Sequence, residues 1–135
     1  MDSPELLFEH VPEPNYVYVD GWTSGNPGPG GFIITDHSGK ILFQKEYYDI
    51  HTNNWYELAA IAAAAIKCPG KIIWSDSITA IAWAKNRMGK EARRKYVTDE
   101  SFKAMVITLQ MCNPTIYKWQ TGKWSAEIPA DPGRK

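Results

Sequence analysis

Four acidic residues sit at the borders of apolar segments. Asp20 closes YVYVD, Asp76 follows KIIWS, Glu57 lies early in NNWYELAAIAAAAIK, and Asp131 falls in PAD. Singly, each has an ordinary explanation. Asp20-Gly21 is a common turn pair, and Glu57, three residues after Asn54, stands where a capping-box glutamate would. Asp76 between two serines suits a helix cap, and Asp131 before Pro-Gly suits a turn. Together they suit one chemistry. Clustered carboxylates raise one another's pKa unless a cation compensates them. Hard oxygen ligands favour Mg²⁺ or Mn²⁺, with water and phosphate completing the shell. Two such ions about 3.5–4 Å apart activate a water and stabilise the leaving oxygen of an in-line displacement at phosphorus. No Cys, His or Ser nucleophile is then required, and the chain offers no convincing triad.

These carboxylates need elements to carry them. Tyr16–Asp20 reads as a strand, GWTSGNPGPGG as a turn-rich loop whose glycines and prolines forbid regular structure, and Phe32–Thr35 as a second strand. HSGK makes a tight turn into a third strand, Ile41–Ile50, so residues 16–50 form an antiparallel meander. The period then changes. Asn54–Lys67, rich in alanine and leucine, predicts a helix capped at Asn53 or Asn54 and stopped by Pro69-Gly70. Lys71–Ser75 suits a buried parallel strand, and Ser77–Lys85 a helix with Ile78, Ile81 and Ala82 on its apolar face. Thr98–Cys112 predicts a helix capped at Thr98 or Asp99, with Phe102, Met105, Val106 and Leu109 inward, and Thr115–Trp119 a fifth strand. The order β-β-β-α-β-α-α-β implies a mixed sheet with helices on its faces. If strands one and four are parallel neighbours, Asp20 and Asp76 emerge together.

Composition bounds the rest. With 135 residues, 44% hydrophobic and 22% charged, the chain fits one soluble domain. Its longest apolar run, Leu58–Ile66, is nine residues, well short of the roughly 20 that span a bilayer. MDSPELLFEHVPEPN has no basic or apolar leader region and does not read as a signal peptide. Cys68 and Cys112 are expected as buried free thiols of a cytoplasmic protein. Net charge is zero but polarised: Lys85–Lys95 holds six basic residues against Glu91 alone. A solvated stretch flanking a helix accounts for that as well as a binding patch does. Residues 1–14 read as an extended acidic arm with no assignable role.

VYVDGWTSGNPGPGGF resembles the opening motif of type 1 ribonuclease H, and TNNWYELAA and IIWSDS resemble its second and third, in the family's order. The resemblance covers roughly residues 15–131. It implies an α/β, ribonuclease H-like fold, a five-stranded mixed sheet flanked by helices, over residues 15–135. It also implies hydrolysis of the RNA strand of RNA–DNA hybrids with two Mg²⁺ ions, for which Mn²⁺ may substitute. By that resemblance Asp20, Glu57, Asp76 and Asp131 are the metal ligands. Asn26, Asn53 and Asn54 match positions that read the minor groove, where the 2′-hydroxyl distinguishes RNA from DNA. Thr52 and Asn54 are similar to a pocket for a DNA-strand phosphate, and Thr23 and Ser77 join the expected substrate contacts. Arg87, Arg93, Arg94 and Lys95 fall where some members carry a basic handle. Two departures stand out. Residues 118–131 lack the histidine many members carry before the final aspartate, leaving Lys123 as a positive charge there, and only PGRK follows Asp131. Reduced turnover and a preference for Mn²⁺ are the expected consequences. The chain is expected to act as a monomer, without a membrane. A non-catalytic hybrid-binding module and a resolvase-like DNA nuclease are the competing readings.

Overall fold

The computed structural model describes residues 15–120 and 128–130. The acidic arm, Lys123 and Asp131 lie outside the described residues. Strands β1 (Tyr16–Thr23), β2 (Gly28–Thr35) and β3 (Ile41–His51) form the meander. Helix α1 (Asn53–Lys67), strand β4 (Ile72–Ser75), helices α2 (Ile78–Ala84), α3 (Lys90–Thr98) and α4 (Glu100–Cys112), and strand β5 (Ile116–Lys118) follow. The five-stranded sheet runs β3-β2-β1-β4-β5. β1 pairs antiparallel with β2 and parallel with β4, aligning Tyr16, Val17 and Tyr18 with Ile72, Ile73 and Trp74. The α/β class, the mixed sheet and the parallel neighbours β1 and β4 are as expected.

Alanine is what lets α1 lie against the sheet. Tyr56, Leu58, Ala60, Ile61 and Ala64 are fully buried and join Val17, Val19, Ile34 and Ile73 in one core, which also takes in Phe102, Val106 and Leu109 of α4. Each large aliphatic side chain so buried contributes about 1.5–3 kcal/mol. On the opposite face Tyr18, Ile33, Ile128 and Ala130 form a smaller cluster with Tyr16, Trp74 and Trp119. No helix among the described residues is long and apolar enough to cross a membrane.

Several local expectations fail for physical reasons. The glycine-proline stretch does not forbid strands: β1 runs on to Thr23 and β2 begins at Gly28. A Cβ on Gly30 would lie 2.1 Å from the Trp22 carbonyl oxygen, so glycine there lets the two strands close on one another. The basic stretch after α2 is not merely a flank, because Lys90–Thr98 forms a helix of its own. Ile78, expected inward, is 71% exposed, and α2 buries Ala80 and Ala84 instead. Both cysteines are free as expected, but Cys68 is only half-buried and Cys112 is exposed. Finally, Thr52 rather than Asn53 or Asn54 caps α1, its hydroxyl accepting from the Trp55 N–H at 3.1 Å.

Candidate metal centre

Strand β1 and helix α1 approach so closely that no side chain fits between them at Gly21. A Cβ there would lie 2.5 Å from the Glu57 nitrogen and 2.6 Å from the Tyr56 carbonyl carbon. The Gly21 N–H donates to Glu57 Oε1 at 2.8 Å, which holds the glutamate carboxylate over the end of β1. Asp20, one residue earlier, is paired with Ile33 inside the sheet and only 7% exposed. Parallel pairing carries β4 beside β1, and Asp76 follows the last residue of β4, Ser75. The outcome is a triad: Asp20, Glu57 and Asp76 each offer a carboxylate oxygen, and these all lie within 4.8 Å of one another.

The three ordinary explanations give way at the same time. Asp20-Gly21 is in a paired strand, not a turn. Glu57 reaches Gly21 across the β1–α1 contact rather than back to its own helix end. Ser77, not Asp76, caps α2, accepting from the Ala80 N–H at 3.0 Å. Three carboxylates in close company, two of them buried, are a costly arrangement in low dielectric unless a cation joins them. An all-oxygen donor set of this kind suits Mg²⁺ or Mn²⁺ rather than a soft metal. The Tyr18 phenol is pushed up to about 12 by burial and by neighbouring Tyr16. It therefore supplies no proton acid or base near neutrality, which leaves that work to the carboxylates and to groups they bind.

The residues expected to touch substrate fall into two sets. Asn26, Thr52, Asn53 and Asn54 are brought together at the start of α1: the Asn53 N–H donates to Asn26 Oδ1 at 2.9 Å, tying the Ser24–Pro27 loop to the helix that carries Glu57. Ser77 adjoins Asp76. Thr23 is turned to another task, its hydroxyl donating to the carbonyls of Gly25 and Pro29 and bracing the loop from within. Of the basic residues, Arg93 donates to the side chain and the backbone carbonyl of Asn86, and Lys95 lies over the Phe102 ring.

Some features of the site had little sequence signal. His51 stacks flat on Trp55, rings 3.6 Å apart and 4° from parallel, and burial lowers the His51 pKa, so the stacked imidazole is neutral at neutral pH. The Tyr56 hydroxyl donates toward the carbonyls of Gly28 and Asp49, fastening α1 to both β2 and β3. Gly21 was detectable only as a glycine directly after a strand-end aspartate.

The Asn26 bond has a fixed polarity. A backbone N–H only donates, so Oδ1 faces Asn53 and the amide NH₂ remains to donate elsewhere. Asn26→Asp keeps an acceptor at a helix N-terminus, where negative charge is favourable. Asn26→Ala removes it. Thermal unfolding is expected to leave the Asp variant within about 0.5 kcal/mol of the parent chain and to lower the Ala variant by about 1 kcal/mol.

The sheet order and helix placement are those of the ribonuclease H-like fold. Ribonuclease H1 from the halophilic archaeon Halobacterium salinarum NRC-1 superposes with a TM-score of 0.53 at 19% identity, over 77% of this chain and 83% of that one. That likeness shows the fold. No protein-family model matches the chain. Over 98 residues it is 35% identical to ribonuclease H of Caldicellulosiruptor saccharolyticus, spanning 69% of this chain and 68% of that protein. Over 66 residues it is 41% identical to ribonuclease HI of Shewanella oneidensis. The chain spans 42% of the length of that Shewanella protein. It belongs to the type 1 ribonuclease H family.

Proposed function

We propose that this chain hydrolyses the RNA strand of RNA–DNA hybrids, with divalent cations held by Asp20, Glu57 and Asp76. The observation that carries the reading is the convergence of those three carboxylates to within 4.8 Å. It is supported by the ribonuclease H names of relatives such as the Caldicellulosiruptor saccharolyticus protein. Mg²⁺ is the proposed ion and Mn²⁺ the substitute, since both accept all-oxygen shells that keep water and phosphate ligands. Asp131 is the proposed fourth ligand, at a position outside the described residues.

When bound, the ions would supply an activated water and charge stabilisation at phosphorus and at the leaving oxygen. The chain's own groups do the rest. Asp20 and Asp76, on neighbouring strands, set the spacing of the oxygen donors. Glu57, fixed by Gly21, presents its second oxygen to the site. Thr52 and Ser77 spend their oxygens as acceptors on helix ends, and Asn26 spends its carbonyl on Asn53. Each thereby keeps a donor to offer, which suits phosphate and ribose oxygens rather than donor groups. Asn53 and Asn54 flank them on the first turn of α1, and Thr23 acts through the loop it braces. A module that only bound hybrids would gain nothing from three converging carboxylates.

The test is a substrate panel. Labelled RNA–DNA hybrid, duplex RNA and duplex DNA are incubated with the chain in Mg²⁺, in Mn²⁺ and in chelator. Cleavage of the RNA strand of the hybrid alone, with either metal and not with chelator, is expected. Binding to the hybrid without cleavage would favour the module, and cleavage of duplex DNA a resolvase-like enzyme.

A further inference from the structure

At the end of the sheet opposite the carboxylates, where β1 and β4 begin, the surface opens into a cavity of about 270 Å³. Its walls come from the C-terminal turns and following loops of α1 and α4, among them Ala65, Cys68, Pro69, Ile72 and Pro114, with Lys71 the charged residue on the wall. Two large apolar side chains near the same helix ends are left in the open: Ile66 is 62% exposed and Met111 80%. Isolated exposed aliphatics are unremarkable, but a concave apolar wall with apolar rims is a surface that gains from being covered.

The chain itself enters at this wall. Asn15 donates from Nδ2 to the Gly70 carbonyl at 3.1 Å and accepts the Ile72 N–H on its own carbonyl at 2.9 Å, and both partners line the cavity. Fourteen residues precede it, and they combine Leu6, Leu7, Phe8 and Val11 with Asp2, Glu5, Glu9 and Glu13. Leu7 is eight residues from Asn15, so at about 3.3 Å per residue the segment can reach any part of the cavity with slack to turn. Its charge is opposite to that of Lys71 and of Lys67, which is the basic residue of the last turn of α1. A tethered segment also has a high effective concentration at its own surface.

We infer that residues 1–14 are a built-in occupant of this cavity, seating Leu7 and Phe8 against Cys68 and Ile72 and setting Glu5 or Glu9 beside Lys71. The acidic segment thereby closes the apolar end of the domain far from the carboxylate triad, and its role is to cover rather than to cut.

The two free thiols on the cavity wall report on this directly. In the full-length chain, Cys68 is titrated with a small maleimide while Cys112 is replaced by serine. Leu7→Asp with Phe8→Asp is expected to speed Cys68 labelling about tenfold, with the unfolding midpoint of the body retained as a check on the fold. Lys71→Glu is expected to speed labelling too, and Glu5→Lys with Glu9→Lys in the same chain to slow it again. In a second arm, Leu7→Cys is expected to form an intramolecular disulfide with Cys68 under oxidised glutathione. Labelling rates unchanged by all the arm variants would overturn the inference. So would Cys68 labelling that slows with increasing protein concentration, because the cavity would then belong to a second copy.

Discussion

Asp76→Asn is expected to cut hybrid cleavage by at least about a thousandfold, roughly 4 kcal/mol of transition-state stabilisation, while making the metal-free protein more stable. The two effects share one cause. With oxygens of Asp20, Glu57 and Asp76 within 4.8 Å of one another, the folded chain holds negative charges that repel in the absence of a cation. Asparagine has nearly the same shape and can still accept a hydrogen bond through its carbonyl oxygen, so the change removes charge rather than volume. Because Asp76 is half-buried and partly screened, relief of that repulsion is expected to be worth about 1–2 kcal/mol. In the parent chain, Mg²⁺ binds only the folded state and raises the unfolding midpoint with concentration. In the variant that metal-dependent rise should shrink or vanish. Thermal unfolding with and without Mg²⁺, beside a cleavage assay, measures all three quantities. A variant that loses activity and stability together, with its metal response intact, would mean that Asp76 is structural.

The second large effect is expected at a residue with no functional group. Gly21→Ala puts a methyl group 2.5 Å from the Glu57 nitrogen and 2.9 Å from its Cα, closer than real Cβ contacts come. The atoms in the way are backbone atoms of α1, so no side chain can rotate aside. Either α1 lifts from β1 or the strand bends. Overpacking of this kind costs about 1–3 kcal/mol, and a clash against main chain belongs at the upper end. For a chain of this size about 3 kcal/mol corresponds to a midpoint lower by roughly 10 °C. The same displacement breaks the Gly21–Glu57 hydrogen bond and moves the glutamate carboxylate relative to Asp20. Activity measured well below the new midpoint should therefore fall by at least tenfold even where the variant is fully folded. An alanine variant with parental stability and activity would show that the β1–α1 contact is looser than its geometry indicates.

Why the carboxylates were legible in the sequence, and why their neighbours were not, follows from the distances over which each signal acts. Asp20 and Asp76 are found by local pattern, because each ends a short run of β-forming residues and parallel strands bring such ends together. The alanines of α1 announce a helix that lies close to a sheet, and Glu57 is on its first turns. The reach of Glu57 to the Gly21 N–H, by contrast, spans 36 positions and depends on how closely the helix packs. Nothing near Asn54 distinguishes that glutamate from a capping residue. The capping error at Thr52 has the same root. Thr52, Asn53 and Asn54 are all good caps, and the choice falls to Thr52 because the Asn53 N–H is already taken by Asn26 from another loop. The glycine-rich stretch misled for a different reason. Glycine usually loosens a strand, yet at Gly21 and Gly30 its missing Cβ is what allows main chains to approach. The stacking of His51 on Trp55 has no sequence signature, since residues four apart meet here across a strand end and a helix start rather than along one helix.

The chemistry of the cut ends tests the central claim most directly. An RNA–DNA hybrid labelled on its RNA strand is digested in Mg²⁺ by the parent chain, and the products are resolved by their termini. In-line attack by a water held among Asp20, Glu57 and Asp76, with the ribose 3′-oxygen leaving, should yield only 5′-phosphate and 3′-hydroxyl ends and should stop on chelation. Ends carrying a 2′,3′-cyclic phosphate, or cleavage that survives the chelator, would contradict it, because the nucleophile would then be the neighbouring 2′-hydroxyl and the carboxylate triad would not be doing the chemistry.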